Sequence, residues 1–560
     1  MALINHIRNV EAQRKVLAVA SGKHVAAGHL LWSYTVGTSP AHNIYLLHAL
    51  GRGTWLGAEG VWFRGLNIPA SDYQFQNGLQ TTPPPYFDTD VPHFRTVTLA
   101  AKLPVGVGEA DTKNNTPDGL TGIFKCELFP DFDENGNQIA PEDGDIVGGF
   151  DDPLDEDYFT YTANPARVYA GWYFKYAFDA KRNDFNWQKW TAWRDYCNEL
   201  ETVDYTSITG FDGFGLTAKY YSGTAFDTLL SKRVDPVIEF NLSNGAPAVG
   251  IPTDNFSVHW EGKIKPLYTE TYTFKIVHDN GARLWINGTE IISNWQNDGQ
   301  SPAATDTGTI ALTAGNFYSI EVQWNEGGGP GEFRLLWSSA SQTEEIIPPE
   351  VLYPLPEEKP RYEAHIAFST PTSFDEMERV LLLVSNSIRQ DVDGKMEFMC
   401  IEQRTSTFDA AEGAGHILGD KITISRTDRR VSEIRNVWEA KFGDLDSQYI
   451  EEPLSPVTIE VPELVEAAGN RKIYGEPVDL QNMTRWQARK VLQRIVDVAV
   501  KDTVVEFDGT ALMYQVIKGD EITLTHADGG FDAKSFEVVE ATDYSPESTA
   551  DTRKFTLQEI

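Results

Sequence analysis

The stretch Thr271–Gly288, TYTFKIVHDNGARLWING, decides the fold of the middle of the chain. Tyr272, Phe274 and Ile276 alternate with polar or smaller neighbours, and a period of two places one set of side chains on one face of a strand. Asn287-Gly288 lies between the apolar pairs Leu284–Ile286 and Ile291–Ile292. That dipeptide is a two-residue hairpin signal, because the favoured turn needs positive φ at both central residues. The same alternation returns in Tyr318, Ile320, Val322 and Trp324, and again in Phe333, Leu335 and Trp337. From Gly215 to Pro354 the pattern is β throughout, with turn signals about every 8–12 residues, which predicts a β-sandwich.

On either side the texture is mixed. Tyr45, Leu47, Val61 and Phe63 sit in short β-like runs between Gly/Pro-rich loops. Pro141–Asp157 is acidic, contains no Lys or Arg and reads as a solvated loop. Asn164-Pro165 is a helix start, followed by Val168, Tyr169, Trp172 and Tyr176 at helical spacing. FNWQKWTAWRDYCNEL predicts a second helix, with Trp187, Trp190, Ala192 or Trp193 and Cys197 toward a core. Beyond the sandwich, Ser373 with Glu376 forms a capping box ahead of Met377, Val380, Leu381, Val384 and Ile388. Thr484 with Gln487 opens another helix, with Val491, Leu492 and Ile495 on its apolar face. Strands with turns at Asp393-Gly394 and Lys518-Gly519-Asp520 surround both helices, so this part is α+β. The expected fold is mainly β with α+β portions: a β-rich region over 1–160, a helical segment over 161–210, the sandwich over 211–355 and an α+β region over 356–560.

The sandwich resembles the domain shared by anthrax protective antigen, yeast flocculins and many bacterial glycosidases. The carriers are GLTAKYY (Gly215–Tyr221), FSVHWEGKI (Phe256–Ile264), Thr271–Gly288, Asn294-Trp295, GTIALTAGNFYSIEVQW (Gly308–Trp324), FRLLWSS (Phe333–Ser339) and IIPPEVLYP (Ile346–Pro354). The flanks resemble hub proteins of long-tailed phages and gene transfer agents. There the carriers are TANPARV (Thr162–Val168), WRDYCNEL (Trp193–Leu200), RYEAHIAF (Arg361–Phe368), Arg429–Asp444 with YIEEP (Tyr449–Pro453), the Thr484 helix and KGDEITLTH (Lys518–His526). In that family the DYCNEL-like helix is followed closely by the RYE-like strand. Here about 160 residues separate them, so the sandwich is an insertion at an exposed position of a hub with β-barrel-like domains. The resemblance implies a structural virion protein at the tip of the tail tube. It implies a homo-oligomer, typically a trimer, with distal tail and fibre proteins as partners. The insert would point outward, where host-surface glycans are a candidate ligand.

In carbohydrate-binding relatives of the sandwich, two consecutive Asp at the loop matching Asp279-Asn280 hold a Ca²⁺ that binds sugar hydroxyls, a cation suited to oxygen ligands. Asp279 matches the first; Asn280 departs from the second and removes a negative charge. Asn294, Asn297 and Asp298 could line the same rim, and Trp295 is the aromatic placed to stack a sugar. The competing reading is a plain turn. Trp260, Trp285, Trp324 and Trp337 alternate with polar residues at strand spacing, which favours burial. Asp131, Asp133 and Asn135, with Glu142 at the twelfth position, have the spacing of a calcium-binding helix–loop–helix loop. Gln138 and Pro141 break that pattern, and a hairpin tip is the simpler reading.

The sequence contains no GxSxG, HExxH or phosphate-binding loop, so no catalysis is expected. A secreted adhesin or glycosidase is the alternative, and a scaffold whose insert binds another tail protein is a third. The net charge of -35 disfavours free nucleic acid as a ligand. An acidic surface would suit a conduit for DNA, and equally serves only to keep a large protein in solution. Cys126, Cys197 and Cys400 are far apart and odd in number, so no disulfide framework is expected. The start, MALINHIRNVEAQRKV, has no apolar signal-peptide core, and no apolar run of about 18 residues predicts a membrane span. Synthesis in the cytoplasm and release within a virion is the localisation expected.

Overall fold

The computed structural model describes residues 131–139 and 160–560, apart from 178–179, 209, 244, 249–250, 296–302, 369–371, 427–434, 448–455, 474–475, 502 and 543–551. Of the earlier residues it describes a set of strands. Cys126, Glu142, Asn297 and Asp298, the acidic run Pro141–Asp157 and the YIEEP motif lie outside the described residues. The fold is mainly β, with helices set among several sheets and a half-barrel.

Tyr45 and Leu47 fall in the strand Ala41–Arg52, and Val61 and Phe63 in Gly57–Phe63. These belong to a five-stranded and a four-stranded antiparallel sheet. The strand Val19–Ala20 pairs with Ala367–Phe368, tying this region to the RYEAHIAF segment.

Helix α1 spans Pro165–Tyr176 and α2 spans Trp187–Asn198. The Asn164 side chain accepts from the amides of Ala166 and Arg167, and Pro165 occupies the first turn, where its missing donor costs nothing. Val168, Tyr169 and Trp172 are buried as expected, but Tyr176 is 37% exposed. It sits in the last turn, where the core-facing stripe has rotated away. On α2 the buried residues are Trp187, Trp190, Trp193 and Cys197.

The chain then leaves by the strand Leu200–Val203 and returns by Glu357–Pro360. The two pair antiparallel, Leu200 opposite Pro360 and Val203 opposite Glu357. Everything between them joins the rest of the chain through this two-stranded neck and at the foot of the sandwich. There Val234 N donates to Asp446 O at 2.7 Å and the Arg485 guanidinium lies over the Phe214 ring at 4.6 Å. The segment between the neck strands forms two packed sheets. One runs in the order Thr228–Asp235, Leu216–Ser222, Phe256–Ile264, Tyr318–Glu326, Gly281–Ile286, Thr289–Asn294, with Leu352–Pro354 paired to Phe256–Ile264. The other runs Glu239–Ser243, Gly331–Ser338, Glu270–Asp279, Ala304–Leu312. Tyr272, Phe274, Ile276, Val322, Trp324, Phe333, Leu335 and Trp337 fill the space between, all fully buried. Asn287 and Gly288 have φ of 52° and 74°, the positive values that the hairpin between Gly281–Ile286 and Thr289–Asn294 requires.

Past the neck, α3 (Phe374–Val384) starts at Ser373, whose hydroxyl accepts from the Glu376 amide. The Glu376 carboxylate is bonded to Arg379. Ile388 lies in the following strand, Ser387–Val392, not on the helix. Helix α4 (Arg485–Val500) is capped by Thr484 and buries Val491 and Leu492, with Ile495 half-buried. A six-stranded sheet runs Ser406–Ala411, Glu521–His526, Phe531–Ala541, Arg553–Glu559, Thr503–Gly509, Ile417–Arg426.

One core lies under the neck and draws on both sides of it. Trp193 stacks on Phe398 at 4.8 Å and donates its indole N–H to Ser387 Oγ at 2.9 Å. Tyr169 donates to Glu378 at 2.6 Å. Gln487 reaches from α4 to the carbonyls of Glu363 and Val384.

Candidate functional site

The far end of the sandwich is built around a change of sheet. Strand Glu270–Asp279 belongs to one sheet and Gly281–Ile286 to the other, so the chain crosses at Asn280 alone. The Asp279–Asn280 peptide is cis. The crossing is held by hydrogen bonds from every side. Asn280 N donates to Asn325 O at 3.0 Å, and Gly281 N to Asn325 Oδ1 at 2.8 Å. Trp324 donates its indole N–H to Asp279 O at 2.8 Å. The His278 ring, fully buried, faces Asn280 O at 2.7 Å with Nδ1 and Asp306 Oδ2 at 2.9 Å with Nε2. Asn294 also donates to Asp306, at 2.7 Å. Partial burial opposes ionisation of Asp306, but the bonds from Asn294 and His278 outweigh it and hold its carboxyl below the usual value.

The loop after Trp324 closes over this crossing. Gly327 N donates to Asn280 Oδ1 at 2.7 Å, Gly328 N to Glu326 Oε1 at 2.8 Å, and Gly329 N to Asp254 Oδ1 at 3.0 Å. Asp279 is 8% exposed, Asn280 and Glu326 each 1%. Asn280 Nδ2 and Glu326 Oε2 are buried without a hydrogen-bond partner. Burial pushes the Glu326 carboxyl up to about 7; the Gly328 amide opposes this, and the charges of Asp279 and Asp254 add to it.

Asp279 and Asn280 therefore meet a third residue that sequence reasoning missed, Glu326. The alternation Ile320, Val322, Trp324 points its side chain inward, and that was the available signal. Asp279 and Glu326 offer oxygens of the kind calcium takes. The Asn280 oxygen is already bonded to the Gly327 amide, and among the described residues no group of three or more His, Cys, Asp or Glu could hold a metal ion. The carboxylates of Asp279 and Glu326 would supply part of the roughly six to eight oxygens that calcium takes, and Asn297 and Asp298, the other rim candidates, lie outside the described residues.

Trp295 is half-buried. It stacks on Phe226 at 5.5 Å and lies under the Arg283 guanidinium at 4.7 Å, so its ring is engaged within the protein. Trp260, Trp324 and Trp337 are core residues, while Trp285 is half-buried.

The segment Asp131–Ile139 is a tight hairpin with Phe132 bridged to Gln138. Asp131 forms an ion pair with Arg194 at 2.8 Å. Asp133 accepts from the amides of Asn135 and Asn137 and from the Asn137 side chain, which holds its carboxyl below the usual range. The two carboxylates serve different partners, and Phe132 between them is buried in the flanking core.

A cavity of about 340 Å³ opens at the foot of the sandwich, lined by Arg233, Lys232, Glu357, Lys359 and Asp446 among others. Its charges pair with one another: Lys232 with Glu357, Lys359 with Asp446, and Arg233 with Asp235. No helix among the described residues is long and apolar enough to cross a membrane.

The PA14 domain model matches residues 214–350. The chain contains a PA14 domain. The anti-sigma-I factor RsgI3 of Acetivibrio thermocellus is 41% identical over 143 residues, which is 25% of this chain and 22% of that protein. The chain thus spans less than a quarter of that relative. A solved anti-sigma factor domain-containing protein from Clostridium clariflavum is also 41% identical, covering 25% of this chain and 47% of its own, with a TM-score of 0.24. A chain of a native gene transfer agent virion is 12% identical, covering 98% of this chain and 84% of its own, with a TM-score of 0.44.

Proposed function

We propose that this protein is a non-catalytic structural subunit of a phage-type tail tip, a hub that displays its PA14 domain toward the cell surface. The observation that supports it best is the neck. Leu200–Val203 and Glu357–Pro360 pair directly, and α2 and the RYEAHIAF segment contribute to one core beneath them. A scaffold interrupted at a paired pair of strands keeps its own core whatever the insert does, as a display platform must. The hub-like motifs of the flanks stand in the family's order on both sides of that interruption.

In this reading the hub assembles as a trimer on the tail tube with distal tail and fibre proteins, in the virion. The surface of the PA14 tip above Asp279, Asn280 and Glu326 contacts host-surface glycans. Native mass measurement tests the assembly: a monomer alone at high concentration would sink the trimer. A glycan array probed with the full chain, with and without EGTA, tests the tip. Hits lost in Asp279→Ala support sugar contact through this loop.

A second reading is favoured by one observation. The Asn280 oxygen is bonded to Gly327, so the loop is closed on itself. On that reading the module binds a neighbouring tail protein. A blank array together with capture of the PA14 domain by a purified fibre protein would select it. A glycan-active enzyme is the reading to reject, and glycan hydrolysis abolished by one carboxylate substitution would restore it.

A further inference from the structure

The core beneath the neck brings together two cysteines that the sequence keeps 203 positions apart. Cys197 lies in the last turn of α2, and Cys400 ends the strand Lys395–Cys400. Their Sγ atoms are 3.9 Å apart, and both side chains are fully buried. Cys400 Sγ also lies 3.4 Å from Ser387 Oγ and 3.7 Å from Ser385 O.

We propose that Cys197 and Cys400 are a redox pair, thiols as the chain is made and a disulfide once it meets an oxidising environment. A disulfide has an S–S length of about 2.05 Å, so the sulfurs must close by about 2 Å. Both cysteines stand at the end of an element. Asn198 is the last residue of α2, and Cys400 leads into a short turn of helix, Ile401–Gln403. Backbone at element ends yields more readily than backbone held by a ladder on both sides. Burial raises the Cys197 thiol well above its usual value. The thiolate is the nucleophile, so oxidation is slow and follows opening of the core.

With a peroxide as oxidant the step balances. One thiolate attacks a peroxide oxygen, the O–O bond breaks, and a sulfenic acid forms with release of water. The second thiolate displaces hydroxide from that sulfur and makes the S–S bond. Two thiols and one peroxide give one disulfide and two waters, and two electrons pass to the peroxide.

The bond would enclose the neck and the whole PA14 domain in one covalent loop. Strain on the displayed domain enters the scaffold at Leu200 and Pro360. Both lie inside that loop, so a pull could not peel the Cys197 and Cys400 segments apart without breaking the bond.

The test is mass spectrometry of the full chain after hydrogen peroxide, followed by denaturation and alkylation. The expected product has lost two hydrogens, keeps one free thiol of the three in the sequence and yields a linked Cys197–Cys400 peptide. The oxidised chain should melt at a higher temperature than the reduced chain, and reductant should reverse the shift. Cys126→Ser should leave the link intact. Retention of all three thiols, added oxygen at Cys197 or Cys400, or a link to Cys126 would overturn the proposal.

Discussion

The PA14 domain and the scaffold around it are built by opposite strategies. The sandwich core comes from one continuous stretch, mostly by antiparallel strands with apolar residues at every second position. The scaffold core is assembled from pieces on both sides of the insertion. Trp193 meets Phe398, Tyr169 meets Glu378, and Cys197 meets Cys400. A continuous module can be moved between proteins because its contacts travel with it. An interrupted scaffold tolerates the module only because its two halves meet again at once, in the neck. The difference predicts two unfolding units with separate sensitivities.

The largest effect should come from breaking the interrupted core. Trp193→Ala removes the stack on Phe398 and leaves the Ser387 hydroxyl without its indole donor. The expected cost is ~3–5 kcal/mol, the usual range for truncating a buried tryptophan. In calorimetry the scaffold transition should fall while that of the PA14 domain stays. If both fall together, the two regions are one cooperative unit and the comparison is wrong.

The next effect belongs to the PA14 tip. Glu326 carries a carboxyl raised from 4.5 to about 7. A group whose folded value lies above its unfolded value favours folding at low pH. That contribution is complete below about 4.5 and is lost as pH rises through about 7. In EDTA, the PA14 transition should therefore weaken across that window, on the order of 1–3 kcal/mol. Glu326→Gln should flatten the dependence. A flat profile in the unmodified chain would show that the carboxylate has a partner at neutral pH.

The two regions also differ in how much the sequence disclosed. Period two over Tyr272–Ile276 and Tyr318–Trp324 marked the inward faces, since each strand has only two. Asn287-Gly288 located a hairpin by its backbone requirement alone. At the tip, Asp279 and Asn280 were legible through the resemblance, but Glu326 was not. Its role depends on the loop Gly327–Gly329 turning back over Asn280, a contact between strands far apart in the chain. The scaffold helices were legible from caps and apolar spacing. Their partners were not, because nothing in WRDYCNEL specifies Ser387, Phe398 or Cys400. Cys197 and Cys400 looked unpaired for the same reason.

A smaller effect tests the neck. The Glu201 carboxylate accepts from Arg361 Nε at 2.6 Å, Lys490 Nζ at 2.7 Å and Trp486 Nε1 at 2.9 Å. Burial opposes its ionisation, but the bonds from Lys490, Trp486 and Arg361 prevail and lower its value below 4.5. Its stabilising contribution is present above about 4.5 and lost as pH falls through the lowered value. Glu201→Ala should cost about 1–2 kcal/mol at neutral pH, discounted for partial exposure, and almost nothing at strongly acid pH. The change should also raise hydrogen exchange in Leu200–Val203 without affecting the sandwich strands. Equal exchange in both regions would mean that the neck does not isolate them.

The smallest effect separates two halves of a motif that looked reciprocal in the sequence. Ser373 caps α3 by accepting from the Glu376 amide. Glu376, the expected return partner, turns instead to Arg379 on the exposed side. A cap satisfies a backbone donor that the helix cannot, so Ser373→Ala should cost about 1 kcal/mol. The Glu376–Arg379 pair is exposed and screened by solvent, so Glu376→Ala should leave the scaffold transition unchanged within error. If Glu376→Ala instead cost as much as Ser373→Ala, the carboxylate would be closing the capping box in solution. The sequence reading of that helix start would then hold where the structure departs from it.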